Sequence, residues 1–467
     1  MKKSAFAFFP LLLAAYHAFG QQDAKFSPRQ LRDDLAFVKQ QMYNVHAYPY
    51  TEIGKPAYEQ LFTEIGNGLT DSLTATAFMK KIKPLFARLC DEHAQVFLPD
   101  TLLETPYRTG GAFLPISLVF DGENYRIDKV LGEGSSLQPG DAITQIDFVD
   151  IDKLVERSAG YSSGYPEQRL EKALKQFGYL YTWTLPDARP HFKVTTRNGK
   201  TVRLTGVSAN TWKAELDRQS GWNVQCKDYV YYEKIGDAGY INACSFNVPH
   251  QDLDAVRRRI DSIFERVNAD APKYLFIDVS KNSGGQSVVG NMLIDGFSSK
   301  PYRGYSVDFR RSESYIKLLK SWGMEAPDYY KTANEGDLIH ISGDTVRPEE
   351  RPGRFAGKVF IVVGNGTFSS AMMFATIIKD NHLAAIAGET PTLGHPNKFG
   401  EMYNTQLPNT KVRLLFGVKR WLRPSGDTRN NQLIPDLPVP LSDDKAQLIK
   451  RILDKHKTGT TAAAPQR

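Results

Sequence analysis

Apolar positions along the chain fall into three successive regimes. Between Ser27 and Leu98 they recur at helical spacing. In "SPRQLRDDLAFVKQQMY" the apolar residues Leu31, Leu35, Val38 and Met42 share one helix face, with Ser27 placed to cap and Pro28 at the first helical position. "SLTATAFMKKIKPLFARL" predicts a second amphipathic helix, perturbed at Pro84, and "CDEHAQVFLPD" a turn leading into a short strand. From Gly111 to about Val207 the period shortens to that of strands. "FLPISLVFDGENYRIDKVL" predicts two strands about Asp121-Gly122, and "HFKVTTRNGKTVRLTGV" a hairpin about Asn198-Gly199, with the helical stretch "YPEQRLEKALKQFGYL" between them. From Tyr229 strands and helices alternate. "GYINACSFNV", "KYLFIDVSKNSGGQS", "KVFIVVGNGTFSSAMMFATIIKD" and "LAAIAGETPTLGHPNKFGEMYNTQLPNT" each begin as an apolar strand, and "LDAVRRRIDSIFERV" is a helix with Leu253, Val256, Ile260, Ile263 and Val267 on one face.

Alternation of this kind predicts an α/β core with a largely parallel sheet, in which ligands gather at the C-terminal ends of strands. Two loops fall there, Asn282–Gly285 and Gly364–Ser370. "DDKAQLIKRILDKH" reads as a terminal helix, followed by a small, polar tail. In the middle region "LQPGDAITQID" resembles the centre of a PDZ domain, a module that holds extended peptides by adding a strand to a sheet edge.

Composition narrows the function classes. With 41% hydrophobic and 24% charged residues among 467, this is a folded chain of several units. The net charge of +7 is spread without a dense Lys/Arg block, which argues against nucleic acid as a partner. The N-terminus "MKKSAFAFFPLLLAAYHAFGQQ" has a basic start, an apolar run too short to span a bilayer, and small residues Ala18 and Gly20 before Gln21. That pattern predicts a secretory signal over residues 1–20, export to a periplasmic or extracellular space, and no membrane span in the mature protein. Cys90, Cys226 and Cys244 are too few for a disulfide scaffold and leave room for one bridge, Cys226 with Cys244. No Cys/His spacing resembles a zinc site, so neither metal nor cofactor is expected.

The chemistry centres on Ser369 and Ser370, at the start of the helix that follows the "KVFIVV" strand. Hydroxyls there serve as helix caps, or one of them serves as a nucleophile exposed on a strand-to-helix turn, where helix N–H groups converge. The ordered set "YLFIDVSKNSGG", "TFSSAMMFA", "AGETPTLGHPNKFGE" and "LIPDLPV", behind PDZ-like sequence, resembles the C-terminal-processing (tail-specific) serine peptidases. Within them it is closer to the tricorn-core and interphotoreceptor retinoid-binding protein-like branch. The resemblance covers most of the mature chain and is strongest from Tyr229 to Val439.

The resemblance implies a ClpP/crotonase-like α/β protease core and a hydrolase that cleaves extended or C-terminal peptide segments through an acyl-enzyme. It divides the chain into a signal peptide (1–20), a helical region (21–105), a PDZ-like domain (106–208), a peptidase core (209–445) and a terminal helix with its tail (446–467). It places the nucleophile at Ser369 and the oxyanion donors at Ser370 with Gly284 or Gly285. One branch takes a lysine as base; here the corresponding loop offers His395 and Lys398. The tricorn-like branch takes a histidine from the N-terminal region, and "LCDEHAQ" supplies His93, whose imidazole suits proton transfer near neutrality. Glu92 and Asp427 are the acidic candidates to orient it, with Glu401 a further option. Asp278 and Asp436 also match family positions but read as structural. Two positions depart from the pattern: Met372 stands where relatives carry an acid, and Glu92 where they carry glycine. The second reading is therefore a binding protein for peptides or hydrophobic ligands built on the same fold with a reduced site. A carbohydrate-active enzyme has less support, because no paired-carboxylate motif stands out.

Overall fold

The computed structural model describes residues 24–132, 136–220, 226, 228–351, 353–429 and 432–461. The expected signal segment and the last residues of the tail lie outside these. The chain divides into two compact units. The first comprises residues 1–214, 311–336 and 402–417, and the second residues 215–310, 337–401 and 418–467.

In the first unit the helix Pro28–Val45 starts as its sequence dictates, with a reciprocal capping box between Ser27 and Gln30. Its fully buried Asp34 would be costly were its oxygens not satisfied. They accept the backbone N–H groups of Asn409 at 2.9 Å and Thr410 at 2.8 Å, and the Thr410 hydroxyl at 2.6 Å. The helix Ala75–Ala87 runs on through Pro84. The short strand Gln95–Phe97 pairs antiparallel with Arg413–Leu415.

Both hairpins expected in the middle region form, Ile116–Phe120 with Tyr125–Val130 and His191–Thr196 with Thr201–Thr205. The "YPEQRLEKALKQFGYL" stretch makes two helices, Pro166–Lys175 and Phe177–Thr184, where one was expected. The chain bends at Gln176, whose φ of −115° and ψ of 27° leave the helical region. Leu114, Ile146, Leu154, Phe177, Phe192 and Val194 form the core here.

The second unit is built on a six-stranded sheet. Its strands, in chain order and also in spatial order, are β1 (Tyr231–Ile235), β2 (Ala238–Asn242), β3 (Tyr274–Asp278), β4 (Lys358–Val363), β5 (Ala385–Gly388) and β6 (Leu437–Pro438). β1 and β2 pair antiparallel, and the remaining neighbours pair parallel. Helices α1 (Leu253–Asp270), α2 (Ser287–Asp295) and α3 (Ser369–Asp380) connect the strands, and α4 (Lys445–Thr461) ends the described chain. Ile277, Ile361, Val363, Ile260, Leu293 and Ala375 meet in one core on one side, while Phe276, Phe360, Val362 and Ile452 form another. That two-sided burial is why β3 and β4 read as unbroken apolar runs.

The largely parallel sheet expected from the alternation is therefore confined to this element, and the fold as a whole is mixed. Strands joined by two- to four-residue turns can only pair antiparallel, as the hairpins of the middle region do, and Ser306–Arg310 pairs antiparallel with Leu338–Ile341 across a longer connection. The "GYINACSFNV" segment is strand only over β2, after which Cys244 bonds to Cys226 in a disulfide. Among the described residues no helix is long and apolar enough to cross a membrane.

Candidate active site

Two loops at the C-terminal ends of adjacent parallel strands build the serine turn. β4 ends at Val363, and the chain reverses through Gly364 and Thr367 into α3. The Thr367 hydroxyl, fully buried, donates to the Val279 carbonyl at 2.9 Å and accepts the Gly364 N–H at 3.0 Å. It thereby fastens the β4 loop to the end of β3. From the other side, Asn282, also fully buried, accepts the Phe368 N–H on its carbonyl at 2.9 Å. Its side chain donates to Ala243 O at 2.7 Å and accepts the Gly284 N–H at 2.8 Å.

This interlock holds Ser369 at φ 50°, in the left-handed region that a residue with a Cβ rarely occupies. Such strain marks sites where the surroundings dictate the backbone, as on strand-to-helix turns that expose a nucleophile. The cap reading fails for this helix: the N-cap residue is Phe368, which has no capping group, and Ser370 Oγ donates at 2.6 Å to the Gly285 carbonyl. Gly284 and Gly285 have φ of 95° and 134°. A Cβ on Gly284 would lie 2.6 Å from Ser369 Cβ and 2.7 Å from Ser370 N, so these glycines let two backbones touch. The two are not equivalent as oxyanion donors. The Gly284 N–H is taken by Asn282, whereas the Gly285 and Ser370 N–H groups donate no bond among the described residues.

His395 and Lys398 are both almost fully buried, in the loop after β5 and at the start of the next strand. That loop packs on the serine turn. A Cβ on Gly394 would lie 3.1 Å from Thr367 O and 3.3 Å from Met372 Cε. Met372 is core, with no exposed surface. Asn397 donates to Asp427 O at 2.7 Å and accepts the Arg423 N–H at 3.0 Å. The Asp427 carboxylate accepts the Arg429 N–H at 2.9 Å. Glu401, at φ 55°, pairs with Lys419 at 2.5 Å. Asp278 accepts from Tyr240 and from Ser280 N–H, and Asp436 from Lys379 and Ile386 N–H, which makes both structural.

His93 lies in the first unit, on the turn that follows left-handed Cys90. Asp91, fully buried, faces it. Asp91 Oδ1 accepts the His93 backbone N–H at 2.8 Å and lies 3.6 Å from His93 Nδ1, and Asp91 Oδ2 accepts the Gly417 N–H at 2.6 Å. Burial pushes the Asp91 carboxyl up. The hydrogen bond and charge of His93, the charge of His46 and the Gly417 N–H outweigh it and hold it below its ordinary range. Glu92 is buried, its carbonyl accepting the Ser163 hydroxyl at 3.5 Å. Lys172 is lowered by burial, against the opposing charges of Glu92 and Asp91.

Asp91, Glu92 and His93 bring one donor atom each within 4.8 Å of one another. Because both Asp91 oxygens already accept N–H groups, the trio reads as a histidine-holding turn and not as a cation site. Asn282, Thr367 and Asp91 are the residues that sequence reasoning passed over. They sit inside the quoted motifs, but a buried Asn, Thr or Asp there is indistinguishable by letter from a turn residue.

Residues 237–439 match the family model described as Peptidase family S41. Among solved structures the chain is similar to mature CPAF, with a TM-score of 0.56 at 15% identity over 92% of this chain and 96% of that one. Mature CPAF complexed with lactacystin gives a TM-score of 0.56 at 15% identity, over 93% and 98% of the two chains. A mutant form of CPAF gives 0.59 at 15% identity, over 92% and 96%. At such identity the likeness is one of fold. A search of curated proteins finds no match.

Proposed function

We propose, on the premise that residues 237–439 match the model of Peptidase family S41, that the chain is an exported serine endopeptidase acting on extended or C-terminal peptide segments. Ser369 attacks the scissile carbonyl, and the Ser370 and Gly285 N–H groups receive the developing oxyanion. His93 takes the serine proton and returns it to the leaving amine, and water then hydrolyses the acyl-enzyme. His395 and Lys398, on the loop packed against the serine turn, are the alternative bases. The strands and helices of residues 106–208 would serve as a PDZ-like module that docks the peptide. The predicted signal segment would direct the chain to a periplasmic or extracellular space.

The observation that carries this reading is the strained serine, held left-handed at a helix start by glycine backbone that admits no side chain. The test is labelling of the purified mature protein by a fluorophosphonate probe, beside Ser369→Ala and His93→Ala. Labelling that disappears in both variants supports the assignment. Labelling lost in Ser369→Ala but retained in His93→Ala moves the base to His395 or Lys398. No labelling of the wild type would favour a binding protein for peptides or hydrophobic ligands.

A further inference from the structure

The acidic residue that orients a catalytic imidazole was sought at Glu92, Asp427 and Glu401. The Asp427 carboxylate accepts the Arg429 N–H, and Glu401 pairs with Lys419. We propose that Asp91 is the positioning residue for His93, a role that rests on the reading of His93 as the base.

Three observations carry it. First, Asp91 has no exposed surface, so its charge acts without competition from water. Second, it is itself rigid. One oxygen receives the Gly417 N–H at 2.6 Å, on a strand distant in sequence, and the other receives the His93 backbone N–H at 2.8 Å. Both bonds are to a charged acceptor and are therefore strong. The same oxygen that accepts the His93 backbone N–H lies 3.6 Å from its Nδ1, near enough for the carboxylate charge to act on the ring.

Third, the second imidazole on this carboxylate is oriented the other way round. The Tyr48 N–H donates to His46 Nδ1 at 3.2 Å, which puts the His46 proton on Nε2, and that atom lies 3.9 Å from Asp91 Oδ2. Asp91 is thus flanked by one ring through Nε2 and by the other through Nδ1. A proton on His93 Nδ1 directed at Asp91 makes Nε2 the nitrogen with the lone pair that accepts the serine proton. Asp91 then stabilises the imidazolium that results.

The experiment reads the tautomer directly. The folded, inactive Ser369→Ala protein is labelled with ¹⁵N-histidine, and the His93 ring signals are assigned by their loss in His93→Gln. The expected result at neutral pH is a protonated Nδ1 and an unprotonated Nε2. A purely structural Asp91 would not impose this. An Nε2-protonated ring overturns the proposal, and this measurement needs no substitution at Asp91. In parallel, Asp91→Asn, normalised to probe-labelled sites, is expected to lose about 10²- to 10⁴-fold in kcat with little change in KM. Undiminished kcat per labelled site in that variant would also overturn it. Full activity in His93→Ala would instead remove the base assignment on which the proposal stands, and so is a separate failure.

Discussion

A single methyl group is too much at Gly284. Its φ of 95° strains any other residue, and an added Cβ would press on Ser369 Cβ and Ser370 N. Gly284→Ala is expected to displace the serine turn and to lower kcat by about 10²- to 10³-fold, the loss that follows misplacing one oxyanion donor. Steady-state kinetics on a peptide substrate checks this, with circular dichroism as the folding control. Ser370→Ala should behave differently. Its backbone N–H remains, and only the hydroxyl bond to Gly285 O is lost. About a fivefold fall in kcat, equivalent to ~1 kcal/mol, is expected with probe labelling retained; loss of labelling would make Ser370 the nucleophile. At this scale legibility followed chemistry. Ser369, Gly284 and Gly285 stood out through the ordered motifs that resemble a known family, since a serine at a helix start taken alone reads as a cap. Asp91 did not, because an aspartate two residues before a histidine looks the same whether its partner is water or a backbone amide far along the chain.

At the scale of elements, the sequence predicted well wherever local rules decide the outcome. The capped first helix, the two hairpins about Asp121-Gly122 and Asn198-Gly199, and the buried strands β3 and β4 all depend on neighbours within a few residues. Ser27→Ala should cost about 1 kcal/mol by removing the cap, read as a shift in urea midpoint. The parallel sheet was overextended because alternation of strand and helix says nothing about strands that pair across long gaps, such as Gln95–Phe97 with Arg413–Leu415. The Cys226–Cys244 disulfide spans 18 residues just before and after the β1–β2 hairpin. A loop of that size restricts the unfolded chain by ~3 kcal/mol. The double variant Cys226→Ser/Cys244→Ser is expected to lower unfolding free energy by about that amount, and reductant should have no further effect on it.

Across the whole molecule, buried ionisable groups set the response to pH. Asp91 and Glu52 are both held below their ordinary range. For Glu52, burial is outweighed by Arg169 and Arg88. Stability from such carboxylates is complete above the unfolded values of about 4 and is lost as pH falls through the lowered folded values. Asp295, raised by burial, acts in the opposite sense over the same range. The expected net result is a falling urea midpoint between about pH 5 and pH 3. Lys80 predicts an alkaline counterpart. Buried against Tyr107 and the Leu185 carbonyl, it is lowered to about 8 by burial. Between that value and the unfolded ~10.4 the unfolded chain binds more protons at this site, so the contribution of Lys80 to stability should rise with pH from about 8 to 10. Lys80→Met should flatten that rise. Cys90, raised to about 12 by burial, acts in the opposite sense and Lys83, lowered to about 8, in the same one, so the check is the difference between wild type and Lys80→Met: equal pH slopes in the two would contradict the assignment.

The discontinuous make-up of the first unit could not be read from composition or period, since Asp34 and Thr410 meet across 376 positions. It also has a consequence for biosynthesis. Asp91 waits for the Gly417 amide, 326 residues further along, and the strand after His93 waits for Arg413–Leu415. A nascent chain emerging from the ribosome, or threading through a translocon, carries the serine turn before it has the means to complete the histidine turn. The order of synthesis therefore leaves the turn that carries the proposed base to be completed after the serine turn, when most of the chain has been made.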